Sequence, residues 1–160
     1  MTDLLDVRRA LVELRSREVA LFVRLGRCVP LVEEPRAKVI LATHSRRHGE
    51  HWTALGRLLP ADAPEGVAFA AVASAEATTT VARLTGVYDT LVPELAGSYE
   101  DLKAGLDPVS AAPICRAVQA ILAELAVQQA EGQKLLMELR TKEELTAATS
   151  KQSECGESHR

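Results

Sequence analysis

Along four long stretches of this 160-residue chain, apolar residues recur at alternating steps of three and four, and nowhere do they gather into an alternating in-out run. A step of three to four is the period of one helix face, so the pattern restricts the chain to packed helices. Breakers divide the stretches: Val29-Pro30 with Pro35, then Pro60 through Gly66, then Gly105 to Pro113. Helices are predicted at about 3–28, 35–58, 74–104 and 111–145. Pro35 suits a first helical turn, and Asp107-Pro108 or Ser110 suits the cap of the last helix. The expected fold is all-α, a four-helix bundle over residues 1–145 followed by a flexible polar tail over 146–160.

Composition narrows the function classes. With 47% hydrophobic residues and a net charge of -3, the chain has enough apolar material for one core and no basic surplus for nucleic acid. Only 3% of residues are aromatic, which also argues against a base-stacking platform. No apolar run reaches the ~20 residues of a membrane span. The first residues lack the basic and apolar regions of a secretion signal, so a cytoplasmic location and no membrane partner are expected. The three cysteines, Cys28, Cys115 and Cys155, are far apart and form no Cys-x-x-Cys pair, so neither a disulfide framework nor a thiolate zinc site is indicated.

The polar residues inside the apolar stripes carry the chemistry. The first helix reads Leu4, Val7, Leu11, Leu14, Glu18, Leu21, Leu25 and Cys28, which places one carboxylate inward. In the second, Leu41, His44, His48, His51, Leu55 and Leu58 put three imidazoles on successive turns of one face. The fourth reads Ile114, Val118, Ile121, Leu125, Gln128, Gly132, Leu135 and Leu139, with Glu124 and Glu131 on its shoulder. The third gives Val81, Leu84, Tyr88, Leu91, Leu95 and Leu102, flanked by Asp89. Glu18 and His44 are each about thirteen residues from the first turn, so they lie at one level of an antiparallel pair. Glu18, His44, His48, His51 and Glu124 are the candidate metal ligands, with Tyr88, Asp89 and Gln128 as candidate pocket lining. All of them meet only if the segment after Pro60 crosses the length of the bundle. A plain up-down bundle would instead bring Glu76 level with His48.

The stretch Leu41-Ala-Thr-His44-Ser-Arg-Arg-His48-Gly-Glu50-His51-Trp52, followed by Leu58-Leu-Pro60, resembles the second helix of bacterial ferritin-like proteins, particularly a small actinobacterial type. The stretch Arg83-Leu-Thr-Gly-Val-Tyr88-Asp-Thr-Leu-Val-Pro93, with Asp107-Pro108 and Arg116, is similar to that type as well, and the resemblance covers roughly residues 35–140. It implies a ferritin-like four-helix bundle; a long crossover between the second and third helices and a plain up-down connection both stay open. In di-iron members each half supplies a Glu and then a Glu-x-x-His pair, since two irons need bridging carboxylates and an imidazole each. Here His48-x-x-His51 stands at the first such pair, and Leu125-x-x-Gln128, or Glu124 with Gln128, at the second. Two functions follow as expectations. One is a metal-dependent oxidase or oxygenase with an atypical His-rich site for iron or another divalent metal, acting on a small molecule. The other is a degenerate bundle without metal that binds a small ligand or a partner. A homodimer through helix faces is expected in either case.

Overall fold

The computed structural model describes residues 4–61, 63 and 79–157. All of its regular structure is helical. Helix α1 spans Leu4–Cys28 and a 3-10 turn over Val29–Leu31 leads towards α2, Pro35–Gly56. A third rod follows in three parts: α3 (Thr80–Thr85), a π-turn over Gly86–Leu91, and α4 (Val92–Gly105). Helix α5, Ala112–Glu157, closes the bundle. The predicted start of the third rod at residue 74 lies outside the described residues, as does Glu76. None of the described helices is long and apolar enough to cross a membrane.

Local chemistry sets the ends. Pro35 occupies the first turn of α2, where its missing N–H leaves nothing unpaired. Thr79 caps α3 by accepting a hydrogen bond from the Ala82 N–H at 3.1 Å. Asp107 Oδ1 accepts from the backbone N–H of Val109 and of Ser110 and from the Ser110 hydroxyl, which shapes the turn into α5. The π-turn precedes Pro93, which has no N–H and crowds the turn before it. The helix widens there, so the Val92 N–H reaches back to the Val87 carbonyl. That frees the Tyr88 carbonyl, which accepts a hydrogen bond from Gln129 Nε2 instead.

Side-chain pairings fix the topology. Helices α1 and α2 are antiparallel: Ser45 Oγ donates to the Phe22 carbonyl at 2.7 Å, Phe22 lies over Gly49, and Arg15 lies beside Gly56. Helix α1 is also antiparallel to the third rod, because Arg17 reaches Ser98 at 2.8 Å while Arg24 sits against Gly86. The third rod is therefore parallel to α2. Just past the end of α2, Leu58, Leu59 and Pro60 are grouped near Leu106 and Asp107, whereas α3 begins where Thr80 Oγ1 meets the Leu31 carbonyl. Those are opposite ends of the bundle, so α2 and α3 are joined by a long crossover and the plain up-down arrangement is excluded. Helix α5 runs antiparallel to α2, with Glu138 near Arg36 and Glu124 near His51.

The core is built from the predicted stripes facing one another, except that Leu4 at the start of α1 is exposed. Leu11, Leu14, Leu21, Leu25, Leu41, Leu55, Leu84, Leu95, Val118, Ile121, Leu125 and Leu135 are all buried, each contributing on the order of 1.5–3 kcal/mol of apolar burial. Among the described residues, six polar ones share that interior: Glu18, His44, Ser45, His48, His51 and Gln128. Helix α5 continues beyond the predicted end near residue 145, to Glu157. Residues 141–149 are exposed and carry no stripe, so intrinsic propensity, not packing, favours helix there.

Candidate metal centre

Helices α2 and α5 meet along a seam of three polar rungs. His44 faces Glu131 (Nε2 to Oε2, 2.9 Å), His48 faces Gln128 (Nε2 to Nε2, 2.6 Å), and His51 faces Glu124 (Nε2 to Oε2, 3.0 Å). The match is geometric: the steps 44, 48, 51 on one helix run against 131, 128, 124 on its antiparallel partner. The imidazoles and Gln128 are buried, but Glu124 and Glu131 are about half exposed, at 51% and 48%. The seam therefore connects the interior to the surface at its two outer rungs.

From α1, Glu18 enters the middle of this seam and is itself fully buried. His48 Nδ1 lies 2.5 Å from Oε2, the Tyr99 hydroxyl donates to Oε1 at 2.6 Å, and His51 Nδ1 stands 3.3 Å from Oε1. The amide nitrogen of Gln128 can only donate, so His48 Nε2 is its lone-pair atom and the ring proton sits on Nδ1, pointing at Glu18. His51 differs. Its Nε2–H donates to Glu124, and its Nδ1 faces the Glu18 carboxylate without a hydrogen bond.

Charge follows from these contacts. Burial pushes the Glu18 carboxyl up, but the His48 hydrogen bond, the close approach of His51 and the charges of both imidazoles outweigh it and hold the group below its ordinary value. Burial likewise works against a charged His51, and the two carboxylates flanking it overcome that and raise its proton affinity. His44 stays below its ordinary value, because burial prevails over Glu131. Burial, with the negative charge of Glu18, pushes the Tyr99 hydroxyl far up, so it remains a donor.

Among the described residues, one group brings together ligand atoms suited to a metal ion: Glu18, His48 and His51, whose donor atoms lie within 4.8 Å of one another. Two imidazoles and a carboxylate are the donor set of non-haem iron sites and also suit zinc. Donors ~2.1 Å from one ion are roughly 3–4 Å apart; the His51–Glu18 contact at 3.3 Å already has that spacing, and the His48–Glu18 contact at 2.5 Å would have to open. Two orphaned buried atoms border it, His51 Nδ1 and Gln128 Oε1. A cation beside Glu18 would satisfy the first, so the residues present fit a single ion.

The other candidates take separate places. His44 is one turn away with both ring nitrogens engaged: its Nε2–H donates to Glu131, and its Nδ1 accepts from the Tyr88 hydroxyl at 2.8 Å. Glu124 touches the group through His51, and Gln128 through His48. Tyr88 is buried against His44, while Asp89 is exposed and pairs with Arg140 at 3.3 Å. Tyr99 is absent from the predicted stripe, although it falls four residues after Leu95 and three before Leu102. Glu131 is predicted only as a shoulder residue, yet it anchors His44 and lies 3.7 Å from Arg47.

The chain was compared with protein-family models, with curated proteins and with solved structures, and none of the three comparisons gave a match.

Proposed function

We propose that this chain is a ferritin-like metalloprotein in which Glu18, His48 and His51 hold one divalent transition metal of the iron class. The observation that carries this reading is the buried Glu–His–His group, with donor atoms within 4.8 Å and an unpartnered His51 Nδ1 aimed at Glu18. The single long crossover between α2 and α3 supports it, because ferritin-like bundles have one such connection. The interior carboxylate count favours one ion over two, since Glu18 is the only buried acid among the described residues and Leu125 stands at the carboxylate place of the second Glu-x-x-His pair. Such an ion supplies Lewis acidity and, if iron, one-electron chemistry with oxygen, which suits an oxidase or oxygenase acting on a small molecule. The protein's own part is to exclude water, hold Glu18 through Tyr99, and hold His51 through Glu124. A homodimer belongs to the same reading; Phe22 on α1 and Val39 on α2 are exposed apolar side chains available to it.

Titration of metal-free protein with cobalt(II), followed by visible absorption, tests the reading. Ligand-field bands saturating at one equivalent are expected, and they should disappear in His48→Ala/His51→Ala with helical content retained. A second reading, a metal-free bundle that binds a ligand or partner, draws support from His44 and His48, whose ring nitrogens are all paired within the protein. On that reading no cobalt bands develop, and the double replacement lowers the melting temperature.

A further inference from the structure

We infer that Gln128 is an adapter, a side chain whose amide turns over to match the two tautomers His48 needs when the centre is empty and when it is filled. The inference rests on the metal reading above.

The middle rung of the seam differs from the outer two. Its neighbours on α5 are carboxylates, which can only accept hydrogen bonds, whereas residue 128 is an amide with one donating and one accepting end. Gln128 is fully buried, its Nε2 donates to His48 Nε2 at 2.6 Å, and its Oε1 has no partner. That pairing demands a lone pair on His48 Nε2 and a proton on Nδ1, which Glu18 Oε2 receives at 2.5 Å.

A metal ion at the Glu18 group changes the demand. Both His48 Nδ1 and His51 Nδ1 face Glu18, so ligation uses Nδ1 and the His48 proton must reside on Nε2. The Nε2–H then needs an acceptor. Rotation of the Gln128 amide by a half-turn brings Oε1, the atom now without a partner, into that position. A carboxylate at 128 could serve only the filled state, and an apolar residue neither. The outer rungs need no such change, because His44 and His51 already donate Nε2–H to Glu131 and Glu124. Gln128 thus offers His48 Nε2 a partner in both states, a donor when the centre is empty and an acceptor when it is filled.

The test uses the full chain labelled with nitrogen-15 in histidine, with zinc(II) as a diamagnetic probe. Proton–nitrogen correlation spectra are recorded before and after one equivalent, and the ring signals missing from His48→Gln identify residue 48. The His48 proton is expected on Nδ1 without zinc and on Nε2 with it. In Gln128→Glu, His48 should carry a proton on Nε2 even without zinc, and zinc affinity should stay within about tenfold of the wild type. Gln128→Leu should weaken zinc binding by ~10–100-fold, the usual cost of losing a ligand's outer partner. Zinc bound with the proton still on Nδ1 overturns the inference, as does wild-type affinity in Gln128→Leu. Failure of the wild type to bind zinc overturns the metal reading and this inference together. If Gln128→Leu does not fold, the wild-type spectra alone decide.

Discussion

Gly132 of α5 leaves its side-chain space to the ring of Tyr88: a Cβ at residue 132 would come within 2.1 Å of the ring carbon Cε1. The close approach seats Tyr88 where its hydroxyl meets His44 Nδ1. Gly132→Ala should therefore displace the ring and cost about 1–3 kcal/mol or more, as overpacking of a filled core does. In a Tyr88→Leu background the same change should cost much less, since the ring it collides with is gone. Urea denaturation of the four proteins checks this. Equal costs in both backgrounds would mean that the contact is not what makes residue 132 a glycine.

Tyr99→Phe removes the one hydroxyl that donates to Glu18 Oε1 and leaves the ring packing in place. A buried hydrogen bond to a charged acceptor contributes ~1.5–3 kcal/mol, so stability should fall by that order. The loss should shrink when Glu18 is already Gln, because the acceptor's charge is then absent. A phenylalanine variant as stable as the wild type would remove Tyr99 from the account.

Metal-free protein should lose stability in mild acid partly through His44. Burial holds its proton affinity below the ordinary value, against the partial opposition of Glu131. Below about pH 6.5 the unfolded chain binds a proton there that the folded chain refuses, so stability falls as pH drops towards the folded value. The slope is at most ~1.4 kcal/mol per pH unit for one proton. His51 has the opposite sign: its raised affinity adds stability that is complete below pH 6.5 and fades as pH rises through its folded value. His44→Gln should consequently show a shallower fall in melting temperature between pH 6.5 and 5 than the wild type, with His51 and the carboxylates common to both. Parallel profiles would contradict this assignment.

Much of this interior is legible in the sequence, because helical periodicity states which side of a helix a residue occupies. The three-four step alone places Glu18, His44, His48, His51 and Gln128 inside, and all five are buried. Direction is a different matter. A stripe reads the same whether the third rod runs up or down, so the crossover emerges only from contacts such as Tyr88 with His44 and Tyr99 with Glu18. Side-chain reach is equally silent in a stripe. Glu131 and Asp89 are both flanking acids, yet the longer Glu131 bends in to His44 while Asp89, on the widened turn before Pro93, pairs outward with Arg140. The far end of α5 lies beyond any stripe, so periodicity has nothing to report there.

The central claim is that Glu18, His48 and His51 hold a metal ion, and metal content is its most direct measure. Protein purified without a histidine tag, loaded anaerobically with iron(II) or another divalent ion and then desalted, should retain about one ion per chain by elemental analysis. His48→Ala/His51→Ala should retain none while keeping its helical circular dichroism, since the ligands are lost but most of the apolar stripe remains. A wild type that retains no ion under any of these loadings, and whose double variant only melts earlier, would contradict the claim and leave the Glu–His–His group as a hydrogen-bonded core.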